Sequence, residues 1–271
     1  MQIFQRMIYK YLSFLFVFWL FVSGMTFMVS SVRAEKVNIA VAANFTASAK
    51  RLATDFNERT GYRAVLSFGS TGKLYAQIVN GAPFDVFLSA DRRRPQQLEG
   101  LGYGVLFSRF TYAYGQIALW SRNAELLTDT NLDDEEIARL LTGNRVTRVA
   151  IANHKTAPYG VAALEYLSKL GVYNEIRKKL VYGENIAQTY QFAYTGNADL
   201  AIVAYTQVLD NPIGKGWLIP KEKHKHSPLV QDAILLKKGQ SNKAAFAFID
   251  YLKSRDAAVI MTKFGYALGS E

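Results

Sequence analysis

The stretch that decides the fold runs from Ser67 to Asp91 and reads Ser-Phe-Gly-Ser-Thr-Gly-Lys-Leu-Tyr-Ala-Gln-Ile-Val-Asn-Gly-Ala-Pro-Phe-Asp-Val-Phe-Leu-Ser-Ala-Asp. It follows an apolar run, passes through a small polar turn at residues 69–72, and predicts a helix from Lys73 to Val79. It then enters a second apolar run, Val86 to Leu88. A strand that leads through a hydroxyl-rich turn into a helix is typical of anion sites, because the first N–H groups of a helix are unpaired and carry partial positive charge.

The turn at residues 69–72 has two other interpretations. A nucleotide phosphate loop requires a glycine, four residues, Gly-Lys and then serine or threonine. Here Ser67 replaces the first glycine and Leu74 replaces the magnesium-binding hydroxyl, so the ATP interpretation fails at both positions. The other interpretation is a helix N-cap formed by Ser70 or Thr71. Taken by itself, the turn favours this cap over a ligand site.

Short apolar strands and helices alternate on both sides of the opening stretch. Lys36 to Ala42 predicts a buried parallel strand, and a helix from Ala47 to Glu58 is stopped by Gly61. Further strands are predicted at Gln116–Trp120, Arg148–Ala152, Lys179–Tyr182, Leu200–Tyr205 and Asp232–Lys237. This alternation predicts an α/β protein whose layers are doubly wound. Ligands of such layers lie beyond the carboxyl ends of the strands.

The order of the elements predicts two lobes joined by two crossings. The last strand and the two closing helices are expected to return to the first layer. Lobe I then comprises residues 35–115 and 232–271, and lobe II comprises residues 116–231. A cleft between two lobes is a favoured place for a small ligand.

Residues 1–34 have the character of an export signal. Arg6 and Lys10 precede the apolar run Phe14 to Val22, and the segment ends in Ser31-Val32-Arg33-Ala34. A basic start, an apolar centre and small residues before the cleavage point are typical of a secretory signal peptide. We expect cleavage after Ala34 and a periplasmic or other extracytoplasmic location. An uncleaved N-terminal anchor stays open as the alternative.

Composition argues against several classes of site. The 271 residues include no cysteine, which excludes thiolate chemistry, and three histidines, which argues against a histidine-based zinc site. The formal net charge is +10, and it becomes +7 when Arg6, Lys10 and Arg33 leave with the signal segment. An exported protein rarely meets nucleic acid, and the basic residues are scattered. We therefore assign the charge to a solvated surface with mild attraction for anions.

Four predicted turns supply neutral hydrogen-bond donors, and we expect them to converge on the cleft. They contain Asn44, Ser70-Thr71, Tyr159-Gly160 and Asn185-Ile186, with Glu184 as the one adjacent acid. A pocket of donors satisfies a fully ionised tetrahedral dianion such as sulfate, molybdate or tungstate. It leaves the proton of a protonated phosphate unpaired, at a cost of about 1–3 kcal/mol.

The sequence gives little support to an enzyme. Ser70 or Ser89 as a nucleophile requires a nearby base, for which His154 is the candidate in the second lobe. The Gly-x-Ser-x-Gly elbow of the α/β hydrolases is absent from the sequence. We therefore expect a binding protein, with a serine hydrolase-like enzyme as a disfavoured alternative.

Several motifs together resemble a known family. They are Ala42-Ala43-Asn44-Phe45, Gly81-Ala-Pro-Phe-Asp-Val-Phe-Leu-Ser-Ala-Asp91, Ala157-Pro158-Tyr159-Gly160, Asn185-Ile186 and the run from Ala198 to Val203. In this order they resemble the periplasmic molybdate-binding proteins of ABC importers, and the run that ends at Asp91 is the most specific of them. The resemblance covers nearly all of the chain after the signal segment. It implies a type II periplasmic binding protein, whose two lobes close on a tetrahedral oxyanion.

The resemblance also implies which residues hold the oxyanion. They are the Ala43-Asn44 turn, the hydroxyl of Thr71 with Ser70 beside it, and the backbone at Tyr159 and Ile186. These groups contact the oxygen atoms of the anion, so we expect no direct metal ligands and no cofactor. Some members add a tyrosine hydroxyl at the position of Ala204, next to Tyr205, and several have serine or threonine at the position of Ala43.

The expected function is capture of molybdate, and also tungstate, for delivery to a membrane ABC permease by a monomeric protein that binds no nucleic acid. A carrier of sulfate or another tetrahedral oxyanion stays open, because the size of the pocket cannot be read from the sequence.

Overall fold

The computed structural model describes residues 35–127, 132–209, 211–220 and 225–269. The expected signal segment, residues 1–34, lies outside the described residues. Within them the chain forms two α/β lobes, each built on a mixed five-stranded sheet. The predicted fold class is therefore confirmed.

The sheet of the first lobe has the strand order β2-β1-β3-β10-β4. β1 (Lys36–Ala42) runs parallel to β2 (Arg63–Gly69) and to β3 (Val86–Leu88). β10 (Leu229–Leu235) is antiparallel to β3 and to β4 (Phe110–Gly115). The late strand β10 thus returns to the first sheet, as the sequence predicted.

The sheet of the second lobe has the order β7-β6-β8-β5-β9. β6 (Val149–Ala152) is parallel to β7 (Leu180–Gly183) and to β8 (Leu200–Ala204). β5 (Ile117–Ser121) is antiparallel to β8 and to β9 (Lys215–Leu218). Every residue of β5, β6 and β8 is buried, which explains their nearly continuous apolar sequences.

The described helices cover the faces of the two sheets. In chain order they are α1 (Thr46–Thr60), α2 (Thr71–Val79), α3 (Arg93–Gly100), α4 (Asp134–Thr142), α5 (Pro158–Lys169), α6 (Tyr173–Ile176), α7 (Ile186–Tyr194), α8 (Lys243–Leu252) and α9 (Arg255–Lys263). Gly61 ends α1 with φ of 72°, a left-handed conformation that glycine adopts without strain. Asp133 and Glu136 form a capping box at the start of α4.

Three strand predictions need correction. β10 begins at Leu229, before the predicted start at Asp232, because its first residues pair with the end of β4. β4 and β9 were not predicted as strands. β4 alternates aromatic and small residues, and β9 carries a lysine, a glycine and one tryptophan, so neither strand has a long apolar run. Both are edge strands, which need only one well-buried face.

Each lobe has its own apolar core. Phe45, Phe56 and Phe248 are buried in the first lobe, and Tyr166 and Ile202 are buried in the second. No helix among the described residues is long and apolar enough to cross a membrane.

Candidate functional site

A small cavity lies between the lobes. It sits beyond the carboxyl ends of β1 and β2 in the first lobe and of β6 and β7 in the second. The structure brings all six sequence-predicted site residues to its wall: Ala43, Asn44, Ser70, Thr71, Tyr159 and Ile186. It adds Asn185, which the sequence placed in a donor turn, and five lining residues that were not assigned to the site: Ala42, Gly69, Ala90, Ala157 and Pro158.

Two neighbouring hydroxyls come from the start of α2. Ser70 is the residue before the first turn, yet its side chain makes no capping hydrogen bond. Its Oγ atom is buried and has no hydrogen-bond partner within the described part of the chain. The Thr71 hydroxyl accepts a hydrogen bond of 3.2 Å from the Ala90 N–H, which leaves its own proton free to donate. The simple N-cap interpretation of this turn is therefore wrong for both side chains.

The second lobe presents backbone N–H groups at the starts of two helices. Pro158 is the first residue of α5 and has no N–H, so Tyr159 supplies the first donor of that helix. In α7 the Asn185 side chain accepts from the N–H groups of Ala187 and Gln188, both at 3.0 Å. The cap thus serves the second and third N–H groups and leaves that of Ile186 available.

The Asn44 side chain is bonded to other side chains of the protein. Its Nδ2 atom donates to Gln231 Oε1 at 2.8 Å and to the Tyr266 hydroxyl at 3.1 Å. A longer contact of 3.5 Å reaches the Tyr159 hydroxyl. Since these partners occupy the Nδ2 group, the donors left to the Ala43-Asn44 turn are its peptide N–H groups.

Among the described residues that line the cavity, Tyr159 is the one with a titratable side chain. Burial raises the pKa of the Tyr159 hydroxyl well above its ordinary value, so this group stays neutral and protonated. The wall therefore combines backbone N–H groups, hydroxyls and apolar surface, without a carboxylate. Such a wall can stabilise an oxyanion by hydrogen bonds that it donates.

Two further contacts join the lobes beside the cavity. The Gly72 N–H at the start of α2 donates to the carbonyl oxygen of Thr156 at 2.8 Å. Lys73 and Glu184 form an ion pair of 2.9 Å, with about half or more of each side chain exposed. The exposed pair contributes little stability because solvent screens it. The backbone contact at Gly72, between two half-buried residues, is the more specific of the two.

Several expected or excluded groups can now be placed. Neither Ala204 nor Tyr205 lines the cavity: Ala204 is fully buried in β8, and Tyr205 packs against the core beside β8. Ser89 Oγ pairs with Asp91, and neither Ser70 nor Ser89 has a histidine partner among the described residues. His154, the base that the hydrolase alternative requires, is thus not bonded to either serine in the described chain. The described residues also contain no cluster of three or more side chains suited to a metal ion.

Gln231 is a polar residue near the cavity that the sequence analysis missed. It is fully buried behind the wall and bonds to Asn44. The signal was present, because Gln231-Asp232 interrupts the otherwise apolar strand Leu229–Leu235. A polar pair inside a buried strand indicates partners of its own.

Comparison with known proteins agrees with this geometry. Residues 37–267 match the family model described as bacterial extracellular solute-binding protein. A molybdate-binding protein ModA of Rhodobacter capsulatus is 46% identical over 233 residues, which are 86% of this chain and 88% of the relative. A molybdate-binding protein ModA of Azotobacter vinelandii is 44% identical over 248 residues, covering 90% and 95%.

A solved structure gives the same result. The periplasmic molybdate-binding protein of Azotobacter vinelandii superposes with a TM-score of 0.79 at 34% identity and covers 86% of this chain and 100% of the solved one. The family resemblance that the sequence motifs suggested is thereby confirmed. The chain belongs to the bacterial extracellular solute-binding protein family, and within it to the molybdate-binding proteins.

Proposed function

We propose that this protein captures molybdate in the cavity between its lobes and delivers it to an ABC permease. The observation that carries the proposal is the cavity wall, in which donors from both lobes converge without a carboxylate. The relatives named as molybdate-binding proteins support the choice of ligand. The absence of a histidine beside Ser70 or Ser89 among the described residues supports a binding role over hydrolysis.

The donor set favours a dianion with no proton of its own. Each N–H or O–H group satisfies an oxygen lone pair, whereas a protonated phosphate requires an acceptor as well. The Ser70 hydroxyl is the clearest of these donors, because it is buried and lacks a partner within the described residues. Leaving a ligand proton unpaired costs about 1–3 kcal/mol, roughly a tenfold to hundredfold loss of affinity.

Binding is coupled to closure of the lobes. Ala43, Asn44, Ser70 and Thr71 belong to the first lobe, and Tyr159 and Ile186 belong to the second. An anion that bonds to both sets stabilises the closed arrangement relative to the open one. The closed arrangement is therefore the form by which the permease recognises the loaded protein.

Further parts of the proposal follow the sequence predictions. Export through residues 1–34, binding of tungstate as well as molybdate, a monomeric state and independence of any cofactor are all included. The lobe boundaries at residues 115–116 and 231–232 also remain predictions, and the pairing of Leu229 to Gln231 with β4 supports a second boundary before Leu229. Mass spectrometry of the secreted protein, together with its elution volume, tests both the cleavage site and the oligomeric state.

Substitution of the two hydroxyls tests the binding site. Ser70→Ala and Thr71→Ala are each expected to weaken molybdate binding by roughly tenfold to hundredfold, because each removes one hydrogen bond to a charged ligand. Isothermal titration calorimetry measures the change. Thr54→Ala is the control, since the Thr54 hydroxyl bonds to the Lys50 carbonyl oxygen on the exposed face of α1. Unchanged affinity in both cavity variants would contradict the proposed site.

Sulfate is the second candidate, because the same wall of donors suits any tetrahedral dianion. A competition titration of molybdate against sulfate separates the two. We expect molybdate to displace sulfate completely at equal concentration. The reverse order would make the protein a sulfate carrier.

A further inference from the structure

A buried cluster of neutral polar side chains lies directly behind the cavity. Its members are Asn44, Tyr112, Tyr159, Gln231 and Tyr266, and each has at most 5% of its surface exposed. Asn44 and Tyr159 belong to the cavity wall as well. Burial raises the pKa of Tyr112 and Tyr159 well above the ordinary value and that of Tyr266 to about 12. The phenols therefore act as hydrogen-bonding groups and not as charges.

Gln231 lies at the centre of this cluster. Its Oε1 atom accepts from Asn44 Nδ2 at 2.8 Å and from the Tyr112 hydroxyl at 3.1 Å, and its Nε2 atom donates to the Tyr159 hydroxyl at 3.4 Å. One carboxamide thus contacts a side chain from each lobe. These two partners of Gln231, Asn44 in the first lobe and Tyr159 in the second, each belong to a turn at the cavity wall.

Gln231 lies where the pairing of β10 with β4 is irregular, and Tyr112 of β4 is the residue left out of the pairing there. The register between β10 and β4 shifts between Gln231 and Asp232, and both residues are fully buried. Asp232 bonds to Arg109 and Thr111, whereas Gln231 reaches the cluster behind the cavity. Successive side chains of a strand point to opposite faces of the sheet, which separates the partners of Gln231 from those of Asp232.

Tyr159 reaches the cluster across a gap in the first lobe. A β-carbon built on Gly115, at the end of β4, would overlap the Tyr159 hydroxyl and lie 2.8 Å from Gln231 Nε2. The glycine therefore leaves room for the phenol between the strands that join the lobes. The same residue offers its peptide N–H to the cavity and its hydroxyl to Gln231.

We propose that Gln231 is a positioning residue for oxyanion capture: by holding Asn44 and Tyr159 together, it sets the distance between the donor turns of the two lobes. The inference rests on the proposed function, since the donor turns are those of the oxyanion site. Without the carboxamide, the buried Tyr159 hydroxyl and Asn44 carboxamide lose partners in the closed arrangement. Closure then becomes less favourable although every cavity donor is still present.

The test compares two substitutions in the full-length mature protein. Gln231→Met keeps the length of the side chain and removes its hydrogen bonds, and Tyr159→Phe removes one hydroxyl while retaining the peptide N–H. Each is expected to weaken binding of both molybdate and sulfate threefold to tenfold in calorimetry, because the contacts to Tyr159 are long. Small-angle X-ray scattering should show a smaller ligand-induced decrease in the radius of gyration at equal, subsaturating ligand.

Two controls distinguish positioning from general stability. Tyr166→Phe removes a buried hydroxyl from the same helix, α5, and this hydroxyl has no partner among the described residues. Tyr112→Phe removes a hydroxyl of the cluster that donates to the Ser89 carbonyl oxygen and to Gln231 Oε1. Both of these contacts lie within the first lobe. We expect Tyr166→Phe to leave affinity unchanged, and Tyr112→Phe to lower the thermal midpoint with little loss of affinity.

The outcomes separate this inference from the proposed function. Wild-type affinity in Tyr159→Phe, or an equal loss of affinity in Tyr112→Phe and Tyr159→Phe, would overturn the positioning role. If Gln231→Met fails to fold, Tyr159→Phe decides alone. A wild-type protein that binds sulfate but not molybdate contradicts the proposed cargo, while the ratio of variant to wild-type sulfate affinity still decides the role of Gln231. A wild-type protein that binds neither anion overturns both proposals.

Discussion

At the scale of single residues, neighbours of similar chemistry have different environments. Ser70 and Thr71 are adjacent hydroxyls, but Thr71 accepts a bond from the Ala90 backbone and Ser70 has no partner within the described chain. The sequence predicted that both belong to the site, because a hydroxyl-rich turn at a helix start is a local feature. It could not distinguish their bonding, because Ala90 approaches Thr71 only after β3 has paired with β1.

Gly72 gives a prediction in which stability and binding respond differently. Alanine is favoured over glycine inside a helix by about 1 kcal/mol. Within the first lobe a β-carbon on Gly72 would lie 3.0 Å from Arg94 Nη2, the far end of a flexible side chain that can shift, so Gly72→Ala should not destabilise the ligand-free protein. A β-carbon there would lie 2.9 Å from the Thr156 carbonyl oxygen of the other lobe, which obstructs closure. We expect molybdate affinity to fall at least tenfold while the thermal midpoint without ligand is unchanged or higher. Calorimetry and thermal unfolding measure the two effects.

Gly100→Ala is the matched control for this experiment. Gly100 ends α3, and a β-carbon built on it meets no atom within 4 Å. It should leave affinity unchanged. Equal affinity in wild type and Gly72→Ala would show that the lobes do not approach each other at this point when the anion binds.

At the scale of elements, the sequence predicted the central strands and missed two edge strands. β6 and β8 are buried along their full length, so their sequences are continuous apolar runs. β4 contains Thr111 and three aromatic residues of mixed burial, and its pairing with β10 is interrupted by a bulge. β4 is stabilised by pairing with β10, which lies more than a hundred residues later in the chain. A local sequence pattern cannot predict such a pairing.

The helix caps allow a matched prediction. Asn185 and Asn242 each accept from two N–H groups, at the starts of α7 and α8 respectively. Of these two helices, α7 begins at the described wall of the cavity and α8 does not. Replacement of either by alanine should lower the free energy of unfolding by about 1 kcal/mol. Asn185→Ala should also weaken molybdate binding severalfold, because the Ile186 N–H loses its fixed direction.

Denaturant unfolding and calorimetry on both cap variants check this expectation. Asn242→Ala supplies the baseline for a lost cap in the lobe-I helix α8. An equal effect on affinity in the two variants would mean that the α7 start acts through stability rather than through its direct place at the anion.

At the scale of the whole molecule, the site exists only because two lobes meet. The sequence located the six predicted wall residues, since each lies at a helix start or turn with a recognisable motif. It did not locate Gln231 or the gap at Gly115, because their importance depends on contacts with Asn44 and Tyr159 from distant parts of the chain. Motifs identify the groups that meet a ligand, whereas the supporting contacts require the assembled fold.

The protonation state of the wall has a consequence for the energetics of uptake. The Tyr159 hydroxyl titrates only above its ordinary range, because burial raises its pKa, and the other described lining side chains have no acid or base. Ionisation of the buried phenols should reduce stability only above about pH 10, where unfolded tyrosine loses its proton first. Molybdate affinity should not vary between about pH 6.5 and 9.

Binding of the anion should therefore neither take up nor release protons. An anion enters with both of its charges, and no group on the described wall takes up or releases a proton in exchange. The heat of binding measured in Tris should equal that measured in MOPS, although the two buffers differ greatly in ionisation enthalpy. A difference proportional to that enthalpy would reveal a hidden titrating group. If the heats agree, the acidity of the compartment outside the membrane has no influence on loading, and any energetic control of uptake begins at the permease.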